Sequence, residues 1–271
     1  MEGRVLTATR VGVWILFLLA FANGVWLYLV PRSADRYAWP IAPPVNAAFI
    51  GGGFLAGTLA TALVLFGTSR WRSFSTLPPA LWVLATSLLA ATLIHTDRFK
   101  WHYPPTYVWL IVYAGVPLAL PVLVMLQRRV AEPEPPPDPR LRGLRVVSAV
   151  VGVVLLAGAA AMFAAPVDLG KHWPWPLTPL LGRAVAAWYA LFGTMLVSCA
   201  LGLRRASEAV IVYATLAAWC LLLLALPLLH DVARSGADFA IWLGGMVVLL
   251  ALGVYGLALS LPSLRSAAAP R

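Results

Sequence analysis

Four histidines hold most of the coordination chemistry open to this chain: His95, His102, His172 and His230. Two of them stand close to an aspartate, in HTDRF (95–99) and HDVAR (230–234). A neutral imidazole binds a transition metal or haem iron. A neighbouring carboxylate can ligate beside it, or orient it through the other ring nitrogen. His95 and His230 are therefore candidate ligands for haem or a transition metal, with Asp97 and Asp231 next to them. The spacing matches no compact metal motif such as H-E-x-x-H. A plainer account is that His and Asp end membrane spans because they tolerate the interface.

Arg183 is the basic residue that falls inside an apolar run, four residues after Pro179. A guanidinium there either binds an anionic group through paired hydrogen bonds or snorkels back to water. The segment HTDRFKWHYPPTY (95–107) adds His102, four aromatic rings and mixed charge, and suits a lid or an interfacial anchor. Arg183, Asp97, Asp231, His102 and His172, with Trp39 and Trp175, form the candidate ligand-binding set. No Ser-His-Asp arrangement, phosphate-cradling glycine loop or carboxylate pair within a span is legible, so the sequence points away from an enzyme.

The elements that must position these residues are membrane spans. The chain is 61% hydrophobic and 11% charged, against about 25% charged for a soluble domain. Eight apolar runs of about 20 residues cover roughly 11–30, 45–67, 77–95, 106–126, 146–165, 179–203, 209–229 and 239–260. Arg4 and Arg10 before the first run, with Ala20-Phe21-Ala22 inside it, resemble a signal peptide; the run continues to Val30, so we expect a retained helix. The net charge of +10 does not imply nucleic acid, because the basic residues sit in short loops between spans. Thirteen of the twenty lie on one side, among them Arg70, Arg72, Arg128, Arg129, Arg204 and Arg205. The positive-inside rule makes that side, and both termini, cytoplasmic. All four histidines then face outward.

The spans repeat. At an offset of 136 residues Trp39, Pro40, Pro43, Ala48, Leu55, Gly57 and Thr58 meet Trp175, Pro176, Pro179, Ala184, Leu191, Gly193 and Thr194. Small slips then align LLAATLIH (88–95) with LLALPLLH (223–230), and Trp109-Leu110 with Trp242-Leu243. Each copy holds four spans, so both have the same orientation and an axis along the membrane normal relates them. The expected organisation is a first four-helix repeat at 1–126, a Pro-rich solvated linker at 127–143 and a second repeat at 144–271. Trp-Pro-x-x-Pro reads as a helix start at the outer interface, with Thr178 as N-cap, Pro179 at the first helical position and the indoles as headgroup anchors. Gly53 and Gly57 suggest close approach of another backbone. Ala187-Trp188-Tyr189, aligned with Gly51-Gly52-Gly53, would supply bulk to that groove.

At WPWPLTPLLGRAVAAW and LIHTDRF the chain resembles multi-pass bacterial membrane proteins that carry the same two elements and have no established activity. The resemblance implies a bacterial cytoplasmic membrane and assigns no role to any residue. The sequence thus describes an all-α integral membrane protein, eight transmembrane helices arranged as two parallel four-helix repeats. Its leading functional reading is small-molecule or ion binding, or permeation, at an outward polar site between the repeats. A metal- or haem-binding redox subunit is one alternative. A structural subunit of a membrane complex, with membrane protein partners, is the other.

Overall fold

The computed structural model describes residues 3–68, 70–230, 232 and 234–268, with side chains as far as 260. Its helices are α1 (Thr7–Leu29), α2 (Pro44–Gly67), α3 (Leu77–Ile94), α4 (Pro104–Arg128), α5 (Arg142–Ala164), a five-residue α6 (Pro166–Gly170), α7 (Pro179–Gly202), α8 (Val210–Leu229) and α9 (Ala237–Ala268). All except α6 are long and apolar enough to cross a membrane. No strand forms among the described residues. The expected all-α class and eight spans are what the chain adopts, and it is a polytopic membrane protein. In a bilayer a helix satisfies its own backbone, which is why these apolar runs take no other form.

The helix ends follow from named residues. Prolines stand in the first turns of α2, α3, α4 and α7, where the missing N–H would have no partner anyway. Thr178 caps α7 as expected: its hydroxyl oxygen accepts from the Leu181 N–H at 3.3 Å. The start of α1 has no cap of its own. Gln127, fully buried at the end of α4, serves instead. Its carbonyl accepts from the Leu6 N–H at 2.9 Å and the Thr9 hydroxyl at 3.1 Å, and its amide donates to the Arg4 carbonyl at 2.8 Å. Within α4, Pro121 has no N–H for the Pro117 carbonyl. The Trp82 indole of α3 donates to that carbonyl at 3.1 Å.

Packing joins the two halves of the sequence closely. α1 lies on α2, α2 on α8 and α8 on α9; α5 lies on α7, α7 on α3 and α3 on α4. Each row of four therefore takes two helices from each half, and the inner helices of one half pack on those of the other. The Gly53 position is filled by Trp188: a Cβ there would lie 2.7 Å from the indole's six-membered ring. Gly57 differs from expectation, since it meets no neighbour and opens on a small apolar cavity. Close backbone approach occurs instead at Gly152 and Gly193, each of whose added Cβ would strike the other's carbonyl oxygen.

The end of the bundle rich in arginine carries a buried ion pair. Arg72 Nε donates to Glu208 Oε1 at 3.0 Å, while Glu208 Oε2 accepts from the Arg204 and Arg205 N–H groups at 2.8 and 3.2 Å. The Pro-rich linker has no regular secondary structure from 131 to 138 but is docked rather than free. Asp138 N–H donates to the Arg204 carbonyl at 3.0 Å, and Arg204 Nη2 reaches Glu134 at 2.9 Å.

Candidate functional site

The opposite end gathers the histidines. His95 is the residue after the last turn of α3, and its N–H closes that turn on Ala91 and Thr92. Arg183 lies near the start of α7, which packs along α3. Together these place Arg183 Nη1 2.8 Å from His95 Nε2. Guanidinium groups only donate. Nε2 must therefore accept, leaving the ring neutral with its proton on Nδ1. Burial of the ring lowers the His95 pKa, the Arg183 charge lowers it further, and Asp97 opposes both. The guanidinium carbon sits 5.7 Å from the centre of the Phe163 ring of α5. Arg183 Nε is buried without an acceptor, and Arg183 has no ion pair among the described residues. The half-buried cation is thus steered by an imidazole and left without a countercharge.

The other candidates are dispersed. No described interaction links His95 with His230. The His230 pKa is lowered by burial and by Arg32. No group of three or more potential metal ligands occurs among the described residues. Asp97 pairs with Arg98 at 3.0 Å, with both side chains exposed, an arrangement that contributes little. His102 is exposed. His172 is exposed too, with Nδ1 3.5 Å from the Asp238 carboxylate. Asp231 lies outside the described residues.

Trp39 and Trp175 are not headgroup anchors. They are 2% and 4% exposed, because each turns inward onto other rings. Trp39 meets Trp109 edge-on at 4.5 Å and Tyr37 at 5.1 Å. Trp175 meets Trp242 at 5.3 Å and Trp173 at 5.6 Å. Their polar ends differ. Trp175 Nε1 donates to Asn46 Oδ1 at 2.8 Å, and Asn46 Nδ2 donates to the Pro176 and Ala42 carbonyls at 3.0 and 3.1 Å. Trp39 Nε1 is buried without a partner.

Asn46 escaped the sequence reading, although an amide at the second position of the 45–67 apolar run was a usable signal. Asp238 escaped because its partner, His172, is remote in sequence.

No protein-family model, curated protein or solved structure matches the chain.

Proposed function

We propose that the protein binds an anionic group at its outer face, at a site where two parallel repeats meet, with Arg183 as the binding cation and His95 as the neutral residue that aims it. The observation carrying this is the half-buried guanidinium that bonds an imidazole and has no carboxylate partner among the described residues. A charge removed from water without a countercharge is costly, and an incoming anion offsets that cost. With Nη1 committed to His95 and Nε buried, Nη2 is the donor left for an incoming carboxylate or phosphate oxygen. His95 then holds the cation rather than a metal, since the nitrogen facing Arg183 is occupied and the neighbouring charge repels metal ions.

Several features support the parallel repeats. Helix pairs α1–α2 and α5–α7 correspond, as do α3–α4 with α8–α9, and α2–α8 with α7–α3. The Trp39–Trp109 and Trp175–Trp242 contacts join positions that the sequence repeat aligns. Arg72 and Glu208 are 136 residues apart. They lie in the corresponding short helical turns Trp71–Ser73 and Ala206–Glu208; contact between corresponding segments supports a two-fold axis passing near this ion pair. The excess of arginine in the loops at the other end supports an outward-facing histidine end.

The test has two arms. Phosphatidylcholine nanodiscs doped with phosphatidylglycerol report a lipid-borne anion. The same discs without it, titrated with inorganic phosphate, report a free one. One arm should show saturable binding, weakened about tenfold or more in Arg183→Gln and unchanged in the exposed-site control Arg36→Gln. Binding in neither arm, or equal binding by Arg183→Gln, would overturn the assignment.

A further inference from the structure

Arg183 lies on the side of α7 that turns away from the other row of helices. Phe192, nine residues on and about two and a half turns round, marks the opposite face. Its ring stacks on Trp219 of α8 with 4.0 Å between centres. One flank of α7 meets α5 where Gly193 approaches Gly152, and the other packs along α3. Arg183 is left in the furrow between those two neighbours. His95 of α3 bonds Nη1 from one wall, and the Phe163 ring of α5 faces the guanidinium from the other.

The same face continues along α7 as Ala190, Thr194 and Leu201, about two, three and five turns further. None of the three is buried, and Leu201 is 70% exposed. In a chain that spans a bilayer, this stripe meets acyl chains. The small side chains at 190 and 194 keep the furrow open between its walls. Its upper rim is apolar too. Ile94, next to His95, is 53% exposed, and Val167, next to the Pro166 that packs on Gly182, is 58% exposed. Arg183 is the fifth residue of α7, about 6 Å along the axis from the first. A long side chain reaches the headgroup level from there.

The charge left at the site is a single one. Asp97 pairs with Arg98, and Asp168 with Lys171. His95 is neutral. Arg183 Nη2 is neither bonded nor sealed. One negative charge offsets this cation. A phosphate dianion brings one too many, and a zwitterionic head brings a cation of its own. A phosphodiester with an uncharged head does neither.

We propose that the furrow between α3 and α5 binds a singly charged anionic phospholipid of the phosphatidylglycerol type, with its phosphodiester on Arg183 Nη2 and an acyl chain along Ala190 and Thr194. This rests on the anion reading and names the source: the anion comes from the membrane, not from water. Ala47, which the repeat aligns with Arg183, is fully buried, so one lipid binds per chain.

The protein, purified in a neutral detergent, is titrated with dioctanoyl-phosphatidylglycerol, with dioctanoyl-phosphatidylcholine, and with glycerophosphoglycerol, the anionic head without its chains. Bound ligand is counted by native mass spectrometry. One phosphatidylglycerol per chain is expected, with the choline lipid and the bare head each about tenfold or more weaker. This comparison is made on the wild type and depends on no variant folding. Arg183→Gln should weaken the lipid about tenfold or more. Ala190→Phe, which fills the furrow below the cation, should weaken it several-fold. Val254→Phe, on the 55% exposed side of α9, should leave it unchanged.

Binding of the bare head as tight as that of the lipid, and lost in Arg183→Gln, would overturn the lipid assignment and leave the anion site standing. Equal binding of the two lipids would overturn it as well, and so would Ala190→Phe behaving like Val254→Phe. Binding of no anion, or lipid binding unchanged in Arg183→Gln, would overturn both.

Discussion

Trp39 and Trp175 begin the same kind of segment and end with different partners. Each is buried, each stacks edge-on against a tryptophan of a later span, and each precedes a helix opened by proline. Trp175 is tied by its indole N–H to Asn46, whereas Trp39 makes no hydrogen bond. Two other pairs of indoles show the opposite bias: Trp26 and Trp109 donate to the Ser33 and Thr92 hydroxyls, whereas Trp173 and Trp242 Nε1 are buried without a well-formed hydrogen bond. Ring packing is shared between the halves, and polar bonding is where they diverge. Apolar contact tolerates substitution of similar shapes. A buried donor either has its acceptor or does not, so polar bonding, not ring packing, is where the two halves differ.

The strongest way to break this comparison is at the ion pair that joins the halves, Arg72 with Glu208. Glu208→Ala strands a mostly buried Arg72 and removes the acceptor for two backbone N–H groups. The expected loss is about 3–5 kcal/mol, as for breaking a buried pair. Arg204→Ala, which removes an exposed-side pairing to Glu134, should cost about 1 kcal/mol or less through that pair. Thermal unfolding in detergent measures both. Similar losses would mean that the Arg72–Glu208 pair is solvated and does not join the halves.

The next comparison sets the two tryptophans against each other. Trp175→Phe leaves Asn46 Oδ1 without its donor and should cost about 1–3 kcal/mol beyond packing. Trp39→Phe removes an N–H that has no partner, so its cost should come from lost ring area alone and be the smaller of the two. If Trp39→Phe were the more damaging, polar bonding would not distinguish the two elements. The glycines offer a parallel pair. Gly53→Ala forces a Cβ against the rigid Trp188 ring, with an expected cost of about 1–3 kcal/mol. Gly57→Ala enters open space and should stabilise α2 by about 0.5–1 kcal/mol through helix propensity.

Much of this frame was legible in the residues because it depends on short-range signals. Apolar run length set the eight spans, and proline with Thr178 set where helices begin. The Gly53–Trp188 contact was legible too, since the alignment placed bulk in one half opposite glycine in the other. The destination of each indole was not. Sequence places Trp39 and Trp175 near an interface, but whether a ring turns outward to headgroups or inward to Trp109 and Trp242 depends on which helices pack together. The pairing of His95 with Arg183 was hidden for the same reason. Both were singled out, yet His95 aligned with His230, and alignment of equivalent positions says nothing about contacts between unlike ones. Gln127 was hidden further still, capping a helix more than a hundred residues earlier in the chain.

The smallest expected effect tests the His95–Arg183 bond through pH. The folded His95 pKa lies below its ordinary value of 6.5, by burial first and the Arg183 charge second, with Asp97 opposing and Arg98 assisting. Below 6.5 the unfolded chain therefore takes up a proton more readily than the folded one, so stability falls on acidification. The neutral ring's contribution is fully present above 6.5 and is lost as pH drops through the lowered folded value. His230 is shifted in the same direction, so the wild-type slope alone does not isolate His95. His95→Gln does, because a glutamine carbonyl accepts from Arg183 and does not titrate. Between pH 7 and 5 the wild type should lose more of its melting temperature than His95→Gln, while the two agree closely at pH 8. Parallel curves across the whole range would mean that the imidazole is not held neutral by the guanidinium, and that Arg183 is aimed by something other than His95.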